Sequence, residues 1–384
     1  MMKKCLPIFF FSIALSGCAA LDAINPFSSK KKMPELKPIT ATVQARVVWQ
    51  ESVGKAESYV FSPAVSGTTI YVAGQAGDIA RIDNGKVAWK VNTDRLEASR
   101  SLSGGVGTDG RLVAVGSPEG DLLVFSTADG KLLWKAKASS EILAAPVIGD
   151  GLVIVRSGDN LLAAYDASDG KRKWGFQRPS PVLTLRVTAP PLIDGKHVFA
   201  GYPGGKLVAV NLSNGAAVWE GTVAIPRGTT ELERVADITS APVIEGRNVC
   251  AVAFQGRVAC FDLGNGNLAW ARDMSSAVGL TIDSRHLFVT DDKSAVHALN
   301  VTNGTSLWKQ DALNSRRVTA PVLYRGFVVV ADAQGIVHFL GREDGAFAAR
   351  VATDGSPVVA PLQSAGSNLI VQTSKGGVFA IEVE

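Results

Sequence analysis

Six side chains in two segments have the types and spacing of a binding face. Pro181-Val182-Leu183-Thr184-Leu185-Arg186 sets two leucines one residue apart and follows them with an arginine. The leucines would supply an apolar centre, and the arginine is a planar, forked donor for carboxylates and carbonyls. Further along, Thr230-Glu231-Leu232-Glu233-Arg234-Val235-Ala236-Asp237 brings three carboxylates. Asp237, Glu231 and Glu233 could orient Arg186 or accept hydrogen bonds from a partner. Arginine beside a desolvated apolar contact is the composition of an interface hot spot. The plainer alternative is that Arg186 and Asp237 pair with each other and only stiffen two loops.

Catalytic chemistry finds less support. His197, His286, His297 and His338 are scattered through strand-like stretches and read as packed or surface strand residues rather than ligands. No metal-ligand cluster appears, and no convergent polar set suggests a cofactor site. Hydrophobic residues make up 46% and charged residues 19%, which excludes a disordered chain. The net charge is +4, too even a balance for a nucleic-acid footprint.

The elements that must position the candidate face are written as one repeat. The tryptophans Trp49, Trp89, Trp134, Trp174, Trp219, Trp270 and Trp308 lie 38 to 51 residues apart, and Phe347 follows in the same context. Just upstream of most stands Asx-Gly, as in Asp129-Gly130 and Asn214-Gly215. That pair favours tight hairpin turns because both residues tolerate positive φ. Each unit opens on a phrase such as Ala145-Pro146-Val147 or Ala320-Pro321-Val322. Between the two marks lie short Val- and Ile-rich runs bounded by Gly and Asp, which are strands. Four short strands per unit of about 40 residues is the pattern of a propeller blade.

Openings at 63, 105, 146, 190, 242, 280, 321 and 361 count eight units. The last lacks its aromatic strand, and Arg46-Val47-Val48-Trp49 stands unclaimed at the other end of the fold. The expectation is an all-β, eight-bladed propeller of four-stranded antiparallel blades over 45–384. Its N-terminal strand would complete the last blade, which removes open edges. The tryptophans are then inter-blade packing rather than ligand-stacking residues. Links between blades share one rim. The link from Trp219 to Pro242 spans 23 residues and is the longest, and that from Trp174 to Pro190 ties for second at 16. They are neighbours and carry the two segments above. Loops on a rigid scaffold are where binding residues concentrate.

Residues 1–17 read as a signal peptide, with Lys3 and Lys4 before the apolar run Leu6–Leu15. Leu15-Ser16-Gly17-Cys18 resembles the lipobox of bacterial lipoproteins, which implies cleavage and acylation at Cys18. Ala19, where aspartate would favour inner-membrane retention, implies the outer membrane by the same resemblance. Residues 18–44, with Pro26, Pro34, Pro38 and Lys30-Lys31-Lys32, read as a lipidated cysteine and flexible tether. Cys250 and Cys260 flank the turn at Gln255-Gly256. A three-residue loop would set them face to face for a disulfide in an oxidising periplasm. A two-residue turn would leave two buried free thiols, which is the expectation.

The repeat resembles that of the pyrroloquinoline quinone (PQQ) dehydrogenases, which implies the eight-bladed fold. Against the enzyme stand the absence of adjacent cysteines and of long insertions. Leader, tether, blades and both rim segments together resemble the BamB family, lipoproteins of the outer-membrane β-barrel assembly machinery. That resemblance implies a non-catalytic scaffold without cofactor or metal, held by lipid to the outer membrane and facing the periplasm. It implies that Leu183, Leu185, Arg186 and Asp237 hold the periplasmic POTRA domains of BamA. It also implies assistance to folding and insertion of barrel proteins, with nascent outer-membrane proteins as a further partner class. The family often has a second acid two residues after the first, where this chain has Thr239. A PQQ-dependent oxidoreductase and a general periplasmic adaptor are the alternatives.

Overall fold

The alternating runs and Asx-Gly turns become eight antiparallel sheets in a computed structural model that describes residues 33–186 and 189–384. The leader 1–17, the Cys18 lipidation site and the tether as far as residue 32 lie outside the described residues. Leu36–Glu384 form one compact unit, and no helix occurs among the described residues. Blades one to seven span 64–92, 104–137, 147–176, 192–222, 243–273, 279–310 and 322–352. Blade eight takes three strands from 363–383 and its outer strand from Ala45–Ser52. That strand pairs antiparallel with Gly377–Val383, placing Trp49 opposite Ala380, and closes the ring. Just before it, Leu36 packs on the core cluster of blades six and seven, and the Thr42 amide donates to the Ala348 carbonyl at 2.9 Å.

One contact recurs between consecutive blades. The tryptophan of a blade's outer strand lies on the Asx-Gly turn of the next blade. Its indole N–H donates to the carbonyl three residues before the turn glycine, as in Trp89 to Thr127, Trp134 to Ala167 and Trp174 to Leu212. Trp219, Trp270 and Trp308 repeat this with Leu263, Val301 and Arg342, all six at 2.8–3.1 Å. The glycine is required twice. Its φ is positive, and a Cβ there would stand 2.5–2.9 Å from the ring in every case from Gly85 to Gly345. Burying an indole is worth a few kcal/mol, and its hydrogen bond about 1 kcal/mol more. Phe347 does not hold the tryptophan position expected for it: four residues past Gly345, where Trp308 stands relative to Gly304, is Ala349, and Phe347 packs instead on the cluster between blades six and seven. Position 349 faces blade eight, where the chain's two ends replace the turn. An indole N–H there would have no turn carbonyl to reach.

Between neighbouring blades the strand faces bury Val, Leu, Ile and Phe in separate clusters, one per blade interface. The axial cavity, about 670 Å³, is lined by the opening phrases, including Pro63, Pro146, Pro190, Pro321 and Pro361. Among the described residues no charged side chain lines it.

Two features depart from expectation. Val60–Phe61 forms a fifth strand in blade two, parallel to Gly104–Gly105. The disulfide Cys250–Cys260 replaces the free thiols expected from the sequence. The hairpin has the three-residue loop, because the Ala253 amide donates to the Arg257 carbonyl and Cys250 falls opposite Cys260.

Glycines of equal backbone conformation separate the two requirements. Gly215→Ala should destabilise the fold by about 2–4 kcal/mol, since it forces a methyl into Trp174 as well as straining φ. Gly246→Ala, where φ is also positive but no atom lies within 4 Å, should cost about 1–2 kcal/mol. Denaturant unfolding of the two variants measures the difference, and equal losses would contradict it.

Candidate partner-binding rim

Strand order puts the links between blades and the hairpins between second and third strands on one rim. Three consecutive links meet there. Asp237, in the link before blade five, is 1% exposed. Its Oδ2 accepts the Leu185 amide at 2.7 Å, from the link before blade four. Its Oδ1 accepts the Gly204 amide at 3.0 Å, from the hairpin of blade four. Its own carbonyl accepts the Phe254 amide, and Ile238 bridges to Ala253. Asp237 is therefore a buried clamp rather than a contact surface.

Arg186 turns away from Asp237, which overturns the pairing considered from the sequence. It grips Glu141, in the link before blade three, through Nε–Oε1 at 3.1 Å and Nη2–Oε2 at 2.5 Å. That carboxylate holds the guanidinium above its ordinary range. The guanidinium also lies 5.5 Å from the Tyr59 ring centroid. Glu233 does not meet Arg186 either. Its Oε2 accepts the Thr229 and Thr230 amides at 2.9 and 3.1 Å and shapes its own loop. Thr239 donates its hydroxyl to the Ala277 carbonyl at 3.0 Å, a bond to the next link.

Leu185 is half-buried, while Leu183 is 41% and Val182 97% exposed. In the neighbouring long link, Ile225 and Leu232 are 59% and 69% exposed. Other exposed apolar residues, such as Leu133, Val218, Leu268 and Leu307, recur near the tryptophan of most outer strands and stand singly. The two long links thus carry a local excess of exposed apolar surface beside a fixed arginine. Sequence reasoning missed Glu141, Tyr59 and Gly204. Of these, Gly204-Gly205 in a hairpin was the one visible signal, a place where backbone can approach closely.

The histidines are held singly. His297 Nε2 lies 2.9 Å from Asp291 and His338 Nε2 3.1 Å from Asp332, while His197 meets Phe199 edge-on. Among the described residues no group of His, Cys, Asp and Glu converges as a metal site.

A family model described as the outer membrane protein assembly factor BamB matches residues 75–310 and 292–384. The chain belongs to the BamB family. A BamB from Bordetella pertussis is 40% identical over 376 residues, 96% of both chains. The crystal structure of BamB from Moraxella catarrhalis superposes with a TM-score of 0.82 at 25% identity, over 88% of this chain and all of that one. Quinohemoprotein alcohol dehydrogenase from Comamonas testosteroni also superposes, with a TM-score of 0.70 at 13% identity, over 88% of this chain and 76% of that one. That likeness is one of fold. The curated relatives are named as an assembly factor rather than an enzyme, and among the described residues the axial cavity presents Ser, Thr and Gln side chains but no cation.

Asp237→Ala leaves two amides without their acceptor, at about 1–3 kcal/mol of local stability. Hydrogen exchange at Leu185 and Gly204 should accelerate at least about tenfold, with strand amides of blade four unchanged. Unaltered protection at both would contradict the clamp.

Proposed function

We propose that this rim holds the periplasmic POTRA domains of BamA. On this reading the protein is a scaffold of the barrel-assembly complex, anchored through acylated Cys18 to the outer membrane and facing the periplasm. It assists the folding and insertion of outer-membrane β-barrels by positioning BamA. The observation that carries the reading is the clamp of Leu185 on Asp237. It fixes the link 181–186 so that Val182 and Leu183 stand exposed beside Arg186. A preformed apolar contact with a rigid arginine loses little entropy on binding. Family membership supports the assembly role, and the residue pattern of the family supports the partner.

The chain from Ala19 should bind the purified periplasmic domains of BamA. Leu183→Ala and Arg186→Glu should each weaken binding at least about tenfold with unfolding temperature unchanged, since hot-spot residues carry about 2 kcal/mol or more. Calorimetric titration measures this. Equal binding by parent and variants would move the interface elsewhere, and no binding by the parent would remove the partner.

A further inference from the structure

A polar cavity of about 210 Å³ opens beside Arg186, lined among others by Glu141, Arg156, Ser157, Asn160 and Thr184. On that measure a single water needs about 10–15 Å³, so there is room for a side chain. Arg156, at the end of the second strand of blade three, is 6% exposed. Its Nη2 donates to the Asn160 amide oxygen at 2.7 Å, and the guanidinium lies 5.0 Å from the Tyr202 ring centroid. Its Nη1 is buried and has no hydrogen-bond partner, and neither has the buried Tyr202 hydroxyl.

A buried cation ordinarily brings a carboxylate with it, because desolvation is otherwise uncompensated. The other deeply buried arginine, Arg316, follows that rule, with Asp332 at 2.7 Å. Among the described residues no carboxylate reaches Arg156. Asp237 is near enough to attract it, but both Asp237 oxygens already accept backbone amides. Glu141 is taken by Arg186. The stability optimum would put an apolar side chain at 156. Local violations of packing rules of this kind belong to functional sites.

We infer that this cavity receives an acidic side chain of the protein that docks on the rim, with Arg156 as its hydrogen-bonding cation. The inference rests on the rim being the partner-binding face, and it adds the chemistry that the partner must present. Nη1 has almost no accessible surface in the free chain, so a carboxylate entering there reaches it by a small turn of the guanidinium and then gains a charge-assisted hydrogen bond, in a setting where water competes weakly. Tyr202, its phenol pushed up to about 12 by burial, stays a neutral donor behind the guanidinium. Leu183 outside and Arg156 within would then read two features of one partner, an apolar contact and an acid.

The test uses the full-length chain in detergent micelles with ¹⁵N-labelled arginine side chains. The probe is acetyl-Gly-Glu-Gly-amide, and the control is the glutamine peptide. The Arg156 resonance, assigned by its absence from Arg156→Met, should shift with the glutamate peptide and not with the control. No shift, or equal shifts with both, overturns the pocket. Arg156→Met should unfold within about 2 °C of the parent or higher while binding the BamA periplasmic domains at least about tenfold more weakly, with Arg156→Lys between. Unweakened binding, or an unfolding temperature lower by more than about 5 °C, makes Arg156 a structural brace. If the parent does not bind BamA, the partner reading falls and the peptide titration still decides the pocket.

Discussion

The indole resting on the next blade's turn glycine is the contact on which the ring depends. Each blade is a small sheet that cannot bury its two faces alone. Stacking blades buries them, but apolar faces can slide or rotate on each other. The indole N–H, aimed at one carbonyl above one glycine, fixes the register between neighbours. Because the contact recurs around the ring, the angle between blades is set locally and the closure follows from the count. At blade eight the strand Ala45–Ser52 completes the circle by pairing with Gly377–Val383.

A scaffold fixed in this way leaves the links free to differ. Most stay short. The two long neighbouring links do not fold into elements of their own, and a single buried carboxylate ties them down. Asp237 gathers amides from the link before blade four and from its hairpin, so three backbone segments share one anion. Arg186 is fixed from the other side by Glu141. The rim therefore presents its apolar residues from a preorganised frame. Beside it the buried Arg156, whose Nη1 has no hydrogen-bond partner, costs the frame stability, as a group kept for a ligand would on the inference above.

Much of this was legible in the sequence because it is written periodically. The tryptophan spacing, the Asx-Gly turns and the unclaimed strand at Arg46–Trp49 define blade number and closure without long-range information. The long links stood out as departures from that period, and the resemblance to the BamB family named Leu183, Leu185, Arg186 and Asp237 within them. Their roles could not. Whether Arg186 meets Asp237 or Glu141 depends on how three links cross the rim, and no local spacing encodes that. The disulfide turned on one residue of loop length between Cys250 and Cys260. The strand Val60–Phe61 is two residues long and pairs with Gly104–Gly105, and Gly104 also lets the link before blade three approach, since a Cβ there would meet the Ile142 carbonyl at 2.5 Å. Such close approaches are tertiary and leave only a glycine as their trace.

On the proposed function this rim, and not the opposite one, faces BamA. This is tested most directly in living cells by placing a photo-crosslinking amino acid at Leu183 or at Ser213. Ser213 is exposed in the Asx-Gly turn of blade four, on the opposite rim. Irradiation should join the chain to BamA from position 183 and not from 213. Crosslinks to BamA from 213 with none from 183 would contradict the account.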